Sequence, residues 1–433
     1  MAPAQTAGSI LRRLDERLVA DPTRVVIRPF QLSWHANGIE PGRAVQLVRD
    51  VQSMTAAAVT RQLNDVMADF EGRHWHIHRM FDRRFNDVAE AIGLDRSRFD
   101  AERRYLIGAY LSHEYSYAAA ALMNPTVTPH PDQSGISRGS LRVVMAMRAV
   151  GEGHISSIVF RDGIIDADES LYLSPQPAVA TTAIVTGGDP TGGGVVTVTR
   201  DPDSRLSGTV IFPVTPAQAN GLEDLRLTRL VNDRGDVEWI GTYTAYSGRD
   251  IRSELLRTRD FQSFDLQPMR GGAAVNKGMA LFPAMVDGAY LMIGRQDGKN
   301  LYLLRSRDVG AWDEAKRLMQ PLFPWEFIQI GNCGPPIEID EGWLLLTHGV
   351  GPMRKYAIGA ALLDKRDPSR VLGRTPQPLL APVDHDREGY VPNVVYSCGG
   401  ARVGDKLFLP YGISDSAIGF AFADLSDIVA QLV

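Results

Sequence analysis

The chain has 433 residues, 44% of them hydrophobic and 22% charged, with a formal charge of -5. That is enough apolar mass for a sizeable core, while the slight negative balance excludes a basic footprint for nucleic acid or a polybasic membrane anchor. No apolar run approaches the ~20 residues needed to span a bilayer.

The opening stretch, MAPAQTAGSILRRLDERLVADP, lacks the apolar run and cleavage site of a secretory leader, so a cytoplasmic protein is expected. Within it Ile10, Leu11, Leu14, Leu18 and Val19 fall at helical spacing. Arg24 to Leu32 reads as extended. Pro41 then opens a long helical stretch to about Phe70, with Val45, Val48, Val51, Val59 and Leu63 in its apolar stripe. Helical pattern resumes from Met80 to Ile92 and from Arg96 to Leu111, where Ser97 or Asp100 would cap. Residues 1–115 are therefore expected to form a helical extension. Its long apolar stripe predicts a homo-oligomer.

From about residue 116 the pattern changes. Five segments repeat one plan: a short turn, an apolar strand, a Gly-bearing hairpin and two further apolar strands. They begin near Asn124, Glu223, Asn276, Gly334 and Pro392. One such unit cannot bury its own sheet, and repetition around an axis solves that problem. The expected fold is an all-β five-bladed β-propeller over residues 116–433. Between the first two repeats, residues 165–215 carry a Gly-rich loop, GGDPTGGGVV, followed by alternating Val and Thr. It lacks the GK[ST] ending of a phosphate loop and reads as a hairpin.

The trio His74, His76 and His78 has no carboxylate or Cys partner at suitable spacing, so no metal is expected. Cys333 and Cys398 form no disulfide framework and read as reduced, buried thiols. The adjacent acids Glu223 and Asp224 precede an apolar strand and Arg226. On a regular strand they would face opposite sides, so only one could enter the channel easily. Arg148, Arg295 and His348 end the second apolar run of three different repeats, and Lys277 follows Asn276 at a repeat start. Equivalent places lie close around the axis, where a cluster of cations would bind an oxyanion such as phosphate.

At these residues the chain resembles glycoside hydrolase family 130, the mannoside phosphorylases and related mannosidases. The matching pieces are NPTV with MAMRA, GLEDLR, NKGMALFP with IGRQ, GPPI with GWLLLTHGV, and REGYVPNVVYSCG with LPYGISDSAIGFAFADL. They run in family order from about Asn124 to Leu425. The family usually has Pro after its Glu-Asp pair; here it is Leu225. The resemblance implies a five-bladed propeller in which Asp224 is the general acid, thought to act through the 3-hydroxyl of the bound mannosyl unit. It also implies that Arg148, Asn276, Lys277, Arg295 and His348 line the sugar and phosphate subsites. Asn124, Glu223, Arg226, Tyr246, Asn393 and Asp415 are expected on the sugar. The implied reaction is phosphorolysis of a β-mannoside, a manno-oligosaccharide or a mannosyl-glucose. It yields α-mannose 1-phosphate with inversion, and inorganic phosphate is the only co-substrate. An inverting hydrolase would need a second carboxyl group to activate water, for which Glu388 is the candidate. A non-catalytic carbohydrate-binding propeller is the reading from another class.

Overall fold

The computed structural model describes residues 10–33, 42–232 and 234–433. The chain is mostly β-sheet with few helices and divides into two units. One holds Pro22–Tyr117 with Pro177–Thr181. The other holds Ala118–Gln176 and Thr182–Val433 together with the chain before Pro22.

The smaller unit is helical around one two-stranded ribbon. Val25–Pro29 pairs antiparallel with Ser112–Ser116. The expected long helix is two: Arg43–Ser53 and Ala56–Phe70. The break falls at Met54, because Thr55 turns extended and its hydroxyl caps the second helix at the Ala58 amide. Pro41 lies outside the described residues. The helix Ile77–Ala91 follows, and then Ala101–Tyr110, capped by Asp100 rather than Ser97. Val48, Val51, Val59, Phe85, Leu106 and Ile107 form the core of this unit. The three histidines go separate ways. His74 Nε2 lies 2.7 Å from Glu114 Oε1, His76 starts a helix at φ 48°, and His78 packs its ring edge-on to Tyr105.

The larger unit is built from five antiparallel meanders. The first runs Ala121–Pro129, Leu141–Val150, Ser156–Ile165, Leu171–Leu173. The second runs Gly221–Val231, Val237–Tyr246, Ile251–Thr258, Ser263–Pro268. The Gly-rich loop joins the strands Ile184–Gly187 and Val196–Thr199, which extend the outer edge of the second meander. The third covers Ala280–Met319 and the fourth Gln329–Arg374. The fifth holds Val395–Tyr396, Ala401–Val403, Lys406–Ile413 and Ala417–Asp424.

The outer edge of the fifth meander overturns one expectation. Residues 10–19 are not helical: Arg12–Arg13 and Leu18–Val19 pair with Ala417–Asp424 as an added edge. An open sheet edge offers unpaired N–H and C=O groups, and here that outweighs a short run at helical spacing.

Apolar side chains fill the spaces between successive meanders. Phe160 and Phe264 stack between the first two, and Trp312 is fully buried between the second and third. Phe282 meets Trp343 edge-on between the third and fourth, and Leu346 packs with Leu409 between the fourth and fifth. Each large side chain so buried stabilises by roughly 1.5–3 kcal/mol. The fifth meander also bonds the first, Cys398 N donating to Pro125 O at 2.8 Å.

The residues at the repeat starts share a backbone feature. Asn124, Asp224, Asn276, Gly334 and Asn393 all have positive φ, at 51°, 55°, 66°, 103° and 63°. Only Gly, Asn and Asp adopt that conformation readily, which is why those residue types recur there. At Asn124 and Asp224 the innermost strand slips register in a bulge. Bulges re-aim side chains, and these two aim at each other.

Candidate active site

Asp224 sits on the bulge of the second meander. Its Oδ1 accepts from Asn124 Nδ2 at 2.7 Å. Arg148, from the second strand of the first meander, donates Nη2 to Glu223 Oε1 at 2.6 Å and Nη1 to Asp224 Oδ1 at 3.4 Å. Its Nε is held by Ser156 Oγ at 2.8 Å. One guanidinium therefore reaches both acids. The opposite-facing expectation for Glu223 and Asp224 fails because the bulge breaks strand alternation. Arg226, nearly fully buried, donates to the backbone oxygen of Asp224 at 2.8 Å, not to a carboxylate. It also donates to Tyr396 OH at 2.5 Å and Asn332 Oδ1 at 3.2 Å.

A pocket beside this cluster is lined by Asp224, Arg226, Lys277, Arg295, His348 and Tyr396, with Gly278, Gly331 and Asn332 completing the wall. Four meanders thus line a common space, the second and third supplying one acid and three cations and the fourth and fifth supplying Asn332, His348 and Tyr396. Asn276 braces the two outer cations: its Nδ2 donates to Arg295 O at 3.0 Å, and its Oδ1 accepts from Lys277 N at 2.9 Å. Among the described residues, neither Lys277 nor Arg295 is in an ion pair, and Arg295 Nε is buried with no hydrogen-bond partner. Cationic groups left unpaired in a partly dry pocket are stabilised by a bound anion.

His348 is not a fourth cation. It is buried between Tyr356 and Tyr396. Burial, with Arg295 and Arg226 nearby, pushes its pKa well below the ordinary value. The neutral ring donates from Nδ1 to Asn332 O at 3.3 Å. Gly331 makes room for it, since a Cβ there would lie 2.2 Å from Cε1.

The carboxylates split. Burial pushes Asp224 up, but Arg148, Arg226 and Lys277 outweigh it and hold the group below its usual range. Glu223 is raised, by burial before any charge effect. Asp415, on the turn between the last two strands, is raised to about 6 by burial and then by Asp224. Both cysteines are free and buried, and burial pushes Cys333 up to about 12. Neither is a ready nucleophile.

Other expected residues lie at the rim or beyond. Tyr246 OH donates to Gly248 O at 3.2 Å, and Asn393 Oδ1 accepts from Arg387 Nε at 2.8 Å. Glu388 is exposed and does not line the pocket. Two residues escaped the sequence reading, Asn332 and Tyr396. Each stands just ahead of a cysteine-glycine turn (GNCG, YSCG), a local pattern the two share. Among the described residues no cluster of His, Cys, Asp or Glu is placed to hold a metal ion.

The profile of a family described as beta-1,4-mannooligosaccharide phosphorylase matches residues 205–432, more than half of the chain. The chain belongs to glycoside hydrolase family 130. This member is 33% identical over 232 residues to a 1,2-beta-oligomannan phosphorylase of Thermoanaerobacter sp. (strain X514), covering 52% of this chain and 75% of that protein. It is 32% identical to a beta-1,2-mannobiose phosphorylase of Listeria innocua, covering 51% of this chain and 63% of that one. The solved structure of a Listeria innocua beta-1,2-mannobiose phosphorylase with beta-1,2-mannobiose superposes with a TM-score of 0.51 at 22% identity. That match covers 72% of this chain and 92% of the other.

Proposed function

We propose that this family 130 member phosphorolyses a β-mannoside with inversion at a site framed by five propeller blades. One observation carries the reading: a single acid, Asp224, shares a pocket with three cations that have no carboxylate partner in it except that acid. Hydrolysis with inversion asks for a second carboxyl group to activate water. Phosphorolysis asks instead for positive charge, because phosphate is itself the nucleophile and must be held in a partly dry space.

An oxygen of hydrogen phosphate attacks the anomeric carbon while the bond from that carbon to the leaving oxygen breaks. Asp224 delivers its proton toward the leaving oxygen, and the proton of hydrogen phosphate returns to the carboxylate. The products are α-mannose 1-phosphate and the shortened sugar. Arg226, Lys277 and Arg295 hold the phosphate. Asn124 and Arg148 aim the acid, and Asp415 with Asn393 serves the sugar on the rim. In the empty pocket Asp224 is held low by its cations. A bound phosphate dianion offsets those charges and raises the acid toward a useful value, so the proton donor is armed by its own co-substrate.

The relatives named above act on β-1,2-linked mannosides, which makes β-1,2-mannobiose the first substrate to test. Incubation with and without phosphate, reading mannose 1-phosphate against free mannose, decides the reaction. Mannose 1-phosphate formed only with phosphate is expected. Undiminished mannose release without phosphate would establish a hydrolase instead. Assembly into a homo-oligomer through the helical unit is part of the same proposal, read by light scattering.

A further inference from the structure

We infer that the segment Arg12–Val19 is a positioning element of the active site, acting through an ion cluster in which Arg13 and Arg17 hold the buried Asp386. The inference rests on the mannoside reading above only for the choice of ligand. This segment lies far ahead of the family-matched region, residues 205–432.

The Asp386 side chain is fully buried. It accepts from Arg13 Nη1 at 2.5 Å and from Arg17 Nη2 at 2.9 Å. Arg13 also donates to Ala381 O at 2.9 Å, and its guanidinium lies over the Tyr411 ring. Both arginines are placed by the strand pairing that adds residues 12–19 to the fifth meander. The cluster thus ties three separate stretches of chain together from behind.

In front of it lies the rim. Ser414 Oγ donates to the backbone oxygen of Asp386 at 2.6 Å. Val391 N donates to Ser414 O at 3.0 Å, Ser414 N to Val394 O at 2.8 Å, and Tyr390 N to Ser416 Oγ at 2.6 Å. These bonds lace the loop after Asp386 to the turn Ser414–Ser416. At the centre of that turn is Asp415, left-handed at φ 51°, whose carboxylate feels both Asp224 and Arg148. At the loop tip the half-exposed Tyr390 meets the first meander, its OH 2.9 Å from His154 Nδ1. Asp415, Tyr390 and Asn393 therefore stand on one laced wall, and Asp386 is a buried charged anchor behind it.

Removing both arginines would strip a fully buried carboxylate of two ion pairs, which is strongly unfavourable. The loop would let go at its base, and the wall would lose its geometry. Lys277 and Arg295 belong to the third meander and touch none of these bonds. Sugar affinity and phosphate affinity should therefore separate.

The test is titration calorimetry on the full chain with β-1,2-mannobiose and, separately, with inorganic phosphate. Wild type is compared with R13A/R17A, with D386N, and with R13K/R17K as the conservative rescue. The expected result is mannobiose binding weakened about tenfold or more, phosphate binding held within about twofold, and partial recovery in the lysine variant. A cluster that merely held the fold would weaken both ligands together, and that result overturns the inference, as does unchanged mannobiose affinity. If R13A/R17A does not fold, D386N and R17A alone carry the comparison. The phosphate dependence of wild-type turnover tests the reaction independently, so the two ideas fail separately.

Discussion

The two sides of the pocket are built on opposite principles. On the acid side, contributed by the first two meanders, nearly every donor is spent: Arg148 serves Ser156, Glu223 and Asp224, and Asn124 serves Asp224. On the cation side, contributed by the third, Arg295 Nε is buried with no hydrogen-bond partner and Lys277 is in no ion pair among the described residues. A crosslinked acid is held in one geometry and tuned by its neighbours. Unspent donors wait for an anion that the protein does not itself supply. On the proposed reading, the rigid half sets the proton and the open half sets the co-substrate.

Breaking the acid side should have the largest effect. D224N removes the proton donor without changing its shape, and kcat should fall by ~10²–10⁴-fold while phosphate still binds. A variant with unchanged kcat would remove Asp224 from the chemistry. Next come K277A and R295A. Each lost charge-assisted contact is worth about 1.5–3 kcal/mol, so the KM for phosphate should rise about 10–150-fold, with a much smaller change in KM for the mannoside. Equal rises in both constants would erase the division between the two sides.

R148Q sharpens the comparison by pH. Arg148 lowers both Glu223 and Asp224, so its loss raises them. Asp224 must carry a proton to act, so the alkaline limb of the kcat/KM profile should move to higher pH, even as overall activity falls. A limb that stays in place would show that Asp224 is not tuned by Arg148.

The smallest effect is on stability. Asp415 stands at about 6 in the folded chain against an ordinary 3.8. Below about pH 4 both folded and unfolded forms hold the proton, and the group contributes nothing. As pH rises from about 4 to 6 the unfolded chain releases it first, so stability is lost. The deficit, up to about 3 kcal/mol, persists above that range. D415N should therefore raise Tm at pH 7.5 and leave it nearly unchanged at pH 4, as thermal melts at the two values will show. It should also weaken mannobiose binding.

Much of this was legible in the residues. The five repeat starts fall in the five meanders, because Asn, Asp and Gly take up the left-handed backbone needed there at least cost. Lys277, Arg295, His348 and Asp224 do line one pocket, because equivalent positions in repeated units are brought together by the repetition itself. Other features were not legible. The charge state of His348 depends first on its burial and then on Arg295 and Arg226, which come from other meanders. The shared grip of Arg148 on Glu223 and Asp224 depends on a bulge, and one extra residue in a strand leaves no mark in an apolar pattern. The N-terminal strands depend on an open edge some 400 residues away in sequence.

By itself the sequence determined the repeating units, the helical stretches and the set of side chains able to do the chemistry. Those follow from spacing and residue type, which are local properties. Tertiary structure alone decided which acid meets which cation, which groups stay uncharged, and how the first residues reach the last sheet. Such pairings are set by burial and by neighbours from distant strands, and their energies arise only once the sheets have packed.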